Sequence, residues 1–262
     1  MLRALYTSAS GMQGQQMNLD VIANNLANVN TTGFKKSKME FQDMLYQTNR
    51  AAGAEAGGGN QVPTSMQVGH GARAVATAKV FTNGELHQTG DKLDIAIHGN
   101  GFFKVTLADG TDAFTRDGAF KMSNAGNIVT SDGLPVASFA GITIPSNATN
   151  ISISTSGAVS TTIEGVTSNV GQIMLSRFAN PGGMESTGGS LYKATLAAGT
   201  EETGLPGLTG MGSVQQGWLE LSNVKVVEEM VNLIKAQRAY EINSKAIQAA
   251  DEMMQMSNRL RG

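Results

Sequence analysis

Apolar residues recur at steps of three and four at both ends of the chain, while the stretch between alternates. From Asn223 no Pro or Gly occurs until Gly262. The spacing predicts one helix over about Val224 to Leu260, with Asn223 as its N-cap and Glu228 and Glu229 where the helix dipole favours acids. Its apolar stripe reads Val227, Val231, Ile234, Ile242, Ala246, Ala249, Met253, Met256 and Leu260, interrupted by Arg238. At the other end Leu2, Leu5, Ala9, Met12, Leu19, Ala23 and Leu26 recur in the same way, Gln16 excepted. They predict a helix over about Arg3 to Val29, stopped where Gly33 can turn left-handed. Gly11 and Gly14 weaken it by about 1 kcal/mol each relative to Ala. Both stripes have the period of a coiled-coil seam, with a stutter at Arg238. The two ends are expected to pack on each other.

Between them the texture is that of strands and turns. Short strands are expected at Val75 to Phe81, Leu93 to His98, Phe102 to Leu107, Ala113 to Arg116, Ala119 to Met122 and Ile128 to Thr130. Further ones are expected at Val136 to Phe139, Ile142 to Ile144, Ile151 to Ser154, Ala158 to Ile163 and Ile173 to Phe178. Asn83-Gly84, Asp109-Gly110, Asp117-Gly118, Asp132-Gly133 and Ser156-Gly157 supply turns between them. Val214 to Leu221, with the only Trp at 218, leads into the last helix. Phe34, Phe41 and Leu45 fit a short helix or an extended segment, and Lys35, Lys36 and Lys38 read as a solvated face. Residues 51–60 are rich in Ala and Gly and read as a flexible loop.

The fold class is therefore α+β and multidomain: a helical coiled-coil domain from residues 1–33 and 223–262, with an all-β domain at 73–197 inserted into it. A connecting segment, 34–72 plus 198–222, carries a loop at 48–69.

Charged residues make up 15% of the 262, against about 25% in ordinary soluble domains. So little charge predicts a surface largely covered by neighbours. A net charge of −2 argues against nucleic acid as a partner. No apolar run is long enough for a stable membrane insertion, and the N-terminus does not read as a secretory signal peptide. The absence of Cys removes disulfides and thiolate metal sites.

Candidate chemistry is sparse. His70, His87 and His98 have no ligand spacing. Gly99-Asn100-Gly101-Phe102 begins like a dinucleotide loop but precedes a strand. Asp109, Asp112 and Asp117 fail the calcium-loop pattern and read as turn residues. No catalytic, cofactor-binding or metal residue is assigned, and no cofactor or enzyme activity is expected. A membrane-active translocator is an alternative, although the first helix lacks the Lys and Arg such helices use. A wall-directed carbohydrate-binding or hydrolytic β domain is another, without a visible carboxylate pair.

The terminal residues carry a resemblance. Asn24-Asn25-Leu26-Ala27-Asn28, running on to Gly33, Phe34 and Lys35, is similar to the N-terminal signature of the flagellar rod and hook axial proteins. Gln237-Arg238-Ala239-Tyr240 and the residues to Lys245 resemble their C-terminal signature. Gly99 to Phe103 and Phe114 to Gly118 resemble the family's β domain. Leu45 to Thr48, with the inserted stretch through Gly69, resembles the segment that distinguishes distal rod from hook members, and a proximal rod or hook paralogue of the same family is the alternative. The resemblance implies a chain exported unfolded without a cleaved signal, which polymerises with itself into a hollow, rigid tube that transmits torque. It implies proximal rod proteins, hook protein, P-ring and L-ring proteins, a rod cap and the export apparatus as partners. The basal body, where the rod crosses periplasm and outer membrane, is its implied location. The terminal stripes are the implied assembly seam, with Lys225, Lys235, Glu241, Lys245, Asp251 and Glu252 available to a wet channel.

Overall fold

A computed structural model describes residues 2–53 and 61–259. It has one helix at each end and strands between, an α+β chain, and it divides into two compact units. The first unit holds residues 1–26, 37–78 and 225–262; the second holds 27–36 and 79–224.

In the first unit, α1 spans Leu2–Ala27 and α2 spans Val226–Arg259. Both match the predicted helices to within a few residues; Leu260, the last residue of the expected stripe, lies outside the described residues. Asn223 does not cap α2. Its side-chain oxygen accepts from the Lys36 amide at 2.8 Å and its amide donates to Val80 O at 2.8 Å. A side chain bound to two other segments cannot also satisfy the first turn of a helix.

The segment after α1 is extended. Strands β1 (Ser37–Asp43), β2 (Tyr46–Arg50), β3 (Met66–Gly69) and β4 (Ala72–Lys79) form one long ribbon. Met44 N donates to Gly71 O at 2.8 Å, Tyr46 pairs with Gly69, Thr48 with Gln67, and Gly53 N donates to Val62 O at 2.9 Å. Each step forward on one strand meets a step back on the other, broken by one bulge between Thr48 and Arg50. Residues 48–69 were expected as a loop. Their described part is a hairpin arm, and the rest of the Ala/Gly-rich stretch, 54–60, lies outside the described residues. β4 likewise belongs to this ribbon and not to the inserted β domain.

The second unit is all-β. Its strands are β5 (Leu86–Gln88), β6 (Ile95–His98), β7 (Phe103–Thr106), β8 (Asp112–Thr115), β9 (Lys121–Met122), β10 (Ile128–Val129) and β11 (Asn150–Ile153). There follow β12 (Ala158–Ile163), β13 (Val166–Gln172), β14 (Leu175–Arg177), β15 (Glu185–Gly188), β16 (Leu191–Lys193), β17 (Glu202–Gly204), β18 (Ser213–Gln216) and β19 (Trp218–Glu220). The largest sheet runs β15-β16-β8-β7, and β11-β12-β13 form a three-stranded meander. The last strands return to the first: β18 pairs antiparallel with β6 and β19 with β5. Two expected strands are absent. Ala137–Phe139 is a turn of 3₁₀ helix and Ile142 to Ile144 has no strand partner, although Phe139, Ile142 and Ile144 are all buried. Apolar alternation marked burial there, not pairing.

Phe102 and Phe103 show how the core divides. Successive side chains in extended chain point to opposite faces. Phe103 enters a core with Ile95, Ile97, Val105, Phe120 and Phe139. Phe102 enters an aromatic cluster with Phe114, Phe178 and Tyr192, capped by Phe81.

Candidate assembly interface

The two helices of the first unit meet through small and polar residues. A methyl group at Gly11 would lie 2.9 Å from the Asn243 amide nitrogen. Asn25 donates to Glu229 Oε2 at 3.4 Å. Gly11 and Asn25 are fourteen residues apart on α1, and so are Asn243 and Glu229 on α2. The helices therefore run antiparallel at these two points. The ribbon lies along the same face of α1. Asn25 bonds both backbone groups of Ser37, accepting from its N–H at 2.9 Å and donating to its C=O at 2.8 Å. At Gly14 a methyl would meet the Phe41 ring at 3.0 Å, and at Gly71 it would strike Ser10. From Asn25 to Ser10 the helix rises roughly 22 Å, and from Ser37 to Met44 the strand advances about 23 Å. The two glycines that weaken α1 are thus sites of close approach.

The apolar stripes face elsewhere. On α2 the inner side carries Glu229, Ala236 and Ala250, all buried, with Asn243 and Ile247 half-buried. Val227 is 76% exposed and Ile242 65%, and Val231, Ile234, Ala246, Ala249, Met253 and Met256 are exposed as well. At 100° per residue this stripe lies roughly a third of the way round the helix from the inner side. On α1 the inner line is Gly11, Gly14, Asn18, Ile22 and Asn25. Along the expected stripe Ala9 and Ala23 are exposed, and Leu5, Met12, Leu19 and Leu26 are half-buried. The expectation that α1 and α2 bury these stripes against each other is corrected at α2: its stripe faces out of the protomer. Close packing favours small residues, so the apolar period marked the outer face.

The signature residues divide between two roles. Asn25 is buried and holds ribbon and helix, while Asn24 and Ala27 are exposed. Asn28 accepts from the Thr31 hydroxyl at 3.1 Å. On α2, Gln237, Arg238 and Tyr240 are exposed, Ala239 is half-buried, and Arg238 pairs with Glu241 at 2.8 Å. The charged residues Lys225, Lys235, Glu241, Lys245, Asp251 and Glu252 are exposed too.

In the second unit, Gly33 and Phe34 lead into a buried ion cluster. Lys35, expected on a solvated face, is 0% exposed. Its ammonium binds Glu220 Oε1 at 2.7 Å and Thr82 O at 2.8 Å. Arg116 reaches Glu220 Oε2 at 3.3 Å and Gly99 O at 2.7 Å, lying over the Phe102 ring. The Gly84 amide adds a third donor to Glu220 at 2.8 Å. Burial holds Lys35 below the usual lysine range, opposed by the Glu220 carboxylate. Burial also pushes the Tyr192 hydroxyl up to about 12; its oxygen accepts from the Lys35 amide. Gly33 has φ of 67° and stands where a methyl would come within 2.4 Å of Asp117 N. Three distant segments are clasped here by charge. A Glu within the apolar run Trp218-Leu219-Glu220-Leu221 is the one sequence sign of it. Among the described residues no group of His, Asp and Glu is placed to hold a metal, and no helix is long and apolar enough to cross a membrane.

An α+β chain that turns an apolar helix face outward has the build of an assembly subunit. Family models agree along its length: "Flagella basal body rod protein" over residues 5–35, "Flagellar hook protein FlgE/F/G D1 domain" over 96–161 and "Flagellar basal body rod FlgEFG protein C-terminal" over 215–260. The chain is 49% identical to the flagellar basal-body rod protein FlgG of Borreliella burgdorferi, covering 100% of this chain and 99% of the relative. It is 45% identical to FlgG of Buchnera aphidicola subsp. Acyrthosiphon pisum (99% and 100% covered) and 46% identical to that of Caulobacter vibrioides (99% and 100%). The chain belongs to the FlgG family of flagellar basal-body rod proteins and is a structural subunit of the flagellar rod. Nothing in these matches favours a membrane-active translocator.

Proposed function

We propose that the chain polymerises with itself into the distal rod, a hollow and rigid helical tube that carries torque from motor to hook. The observation that carries this reading is the row of exposed apolar residues on α2, from Val227 to Met256. A monomeric helix does not keep so long an apolar line in water. Between subunits the α1 and α2 stripes pack as the coiled-coil seam, leaving the inner Gly11–Asn243 face as it is in the protomer. The rod would cross periplasm and outer membrane, with proximal rod proteins at one end and hook protein at the other. P-ring and L-ring proteins would surround it, and the rod cap and export apparatus would serve its growth.

The test uses Ala246→Asp and Ala249→Asp. Both positions are exposed in the protomer, so the folded chain tolerates the charge. In a packed seam an unpaired carboxylate costs several kcal/mol. The expected result is normal folding with no tubes by electron microscopy and no swimming in a complemented deletion strain. Normal rods from both variants would overturn the seam.

A further inference from the structure

Toward its C-terminal end the outward stripe of α2 changes character. Its first half is built from Val227, Val231, Ile234 and Ile242, with Arg238 among them. Beyond Ile242 come Ala246 and Ala249, which offer one methyl group each, and then Met253 and Met256. The large apolar groups of the last described turns on this stripe are therefore two thioethers, both exposed. They stand three residues apart on one side of the helix. Met254, four residues after the buried Ala250, is half-buried on the inner side. A methionine side chain bends easily and fills an uneven apolar contact well.

The same sulfur atoms react with oxidants. The chain has 14 Met and no Cys, so no thiolate is there to take an oxidant first. Met184 and Met211 are shielded in the second unit, whereas Met253 and Met256 are open to solvent. Hydrogen peroxide transfers one oxygen to such a thioether. The sulfur gives an electron pair to that oxygen, the O–O bond breaks, and a proton moves to the leaving oxygen. Sulfoxide and water result, with sulfur oxidised and the peroxide reduced. The new S=O group needs a hydrogen-bond donor, and the stripe before it, Ile242, Ala246 and Ala249, has no side-chain donor. Covered by an apolar partner, each sulfoxide would be a polar group taken from water and left unpaired.

We propose that Met253 and Met256 form an oxidation-sensitive assembly site. As thioethers they let the folded chain join the polymer. As sulfoxides they hold it as a protomer, and a thiol-dependent sulfoxide reductase restores it. This rests on the polymer reading above. Both side chains are open in the protomer and covered in the seam, so the control acts before assembly and not after it. It spares the fold, because neither side chain lies on the inner face of α2.

Full-length chains are treated with hydrogen peroxide, freed of it and set to assemble. A Met253→Leu/Met256→Leu variant is treated in the same way; Leu keeps the volume and the apolar surface without the sulfur. Untreated, both should form tubes at the same concentration. Oxidised wild type should need about tenfold or more protein, with unchanged melting, and sulfoxide reductases for both epimers should return it to the untreated value. The oxidised Leu variant, its exposed Met122 and Met174 still converted, should assemble as if untreated. Normal assembly of wild type carrying both sulfoxides, counted by mass spectrometry, overturns the proposal and leaves the seam standing. An equal loss in the oxidised Leu variant overturns it too, since the effect then lies at other methionines. So does a lowered melting temperature in oxidised wild type alone, which places the effect on the fold. If untreated wild type forms no tubes under any condition, the polymer reading fails first, and the assembly site with it.

Discussion

Glu220 accepts from Lys35, Arg116 and the Gly84 amide while wholly buried. Removing its charge leaves two buried cations without a counter-ion. Glu220→Gln should lower stability by about 3–5 kcal/mol in denaturant titrations. Lys35→Met added to it should cost less than the two changes apart, because the pair is coupled. Tyr192 gives a pH signature. Its folded value of about 12 lies above the ordinary tyrosine value of 10.0. A raised group contributes stability that is full below the unfolded value and lost as pH rises through the folded one. Wild type should lose about 2–3 kcal/mol between pH 10 and 12 that Tyr192→Phe does not lose. Near pH 8 the Phe variant should be weaker by about 1–2 kcal/mol, since the Lys35 amide is left unpaired. Lys35 was not legible in the sequence: between Phe34 and Lys36, only its parity toward a distant Glu separates it from a surface lysine.

At the scale of elements, both helices and most central strands could be read from period alone. The inner faces could not. Gly11, Gly14 and Asn25 have no apolar period, yet they are the residues that let ribbon and α2 approach α1. The ribbon escaped for a related reason: β2 is exposed along its whole length, so no buried alternation marks it. Two charge substitutions separate the faces of α2. Ala250→Asp, at a position 2% exposed, should destabilise the first unit by burying an unpaired charge. Ala249→Asp, one residue away, should leave circular dichroism and melting unchanged. The ribbon arm makes a further prediction. An isolated two-stranded hairpin is marginal in water, and Leu45, Tyr46 and Met66 are exposed along it. Covered by neighbours, such an arm would oppose sliding between subunits. Deleting Ala51 to Pro63 should leave export and polymerisation intact and give flexible or curved rods in electron micrographs. Straight rods of normal stiffness would mean that the arm only tolerates insertion.

In the whole molecule, labour is divided between a clasped β unit and a helical unit whose apolar side is turned outward. The first is complete in one chain, since Lys35, Arg116 and Glu220 close it. The second has α1, the ribbon and α2 joined on one side and open on the other. Low charge along the chain is the compositional form of the same fact. What the sequence could not convey is that the inner side is already filled, so the seam is left for other copies.

Methionine oxidation measures this most directly. Met253 and Met256 lie on the outward stripe, 46% and 56% exposed in the protomer, and Met122 on the β unit is 46% exposed. Protomers and assembled tubes are treated briefly with peroxide and the sulfoxide at each methionine is counted by mass spectrometry. Met253 and Met256 should oxidise as readily as Met122 in the protomer and fall at least tenfold behind their own protomer rates in the tube. Equal rates at Met253 and Met256 in both states would contradict the claim that this stripe is the surface on which the subunits assemble.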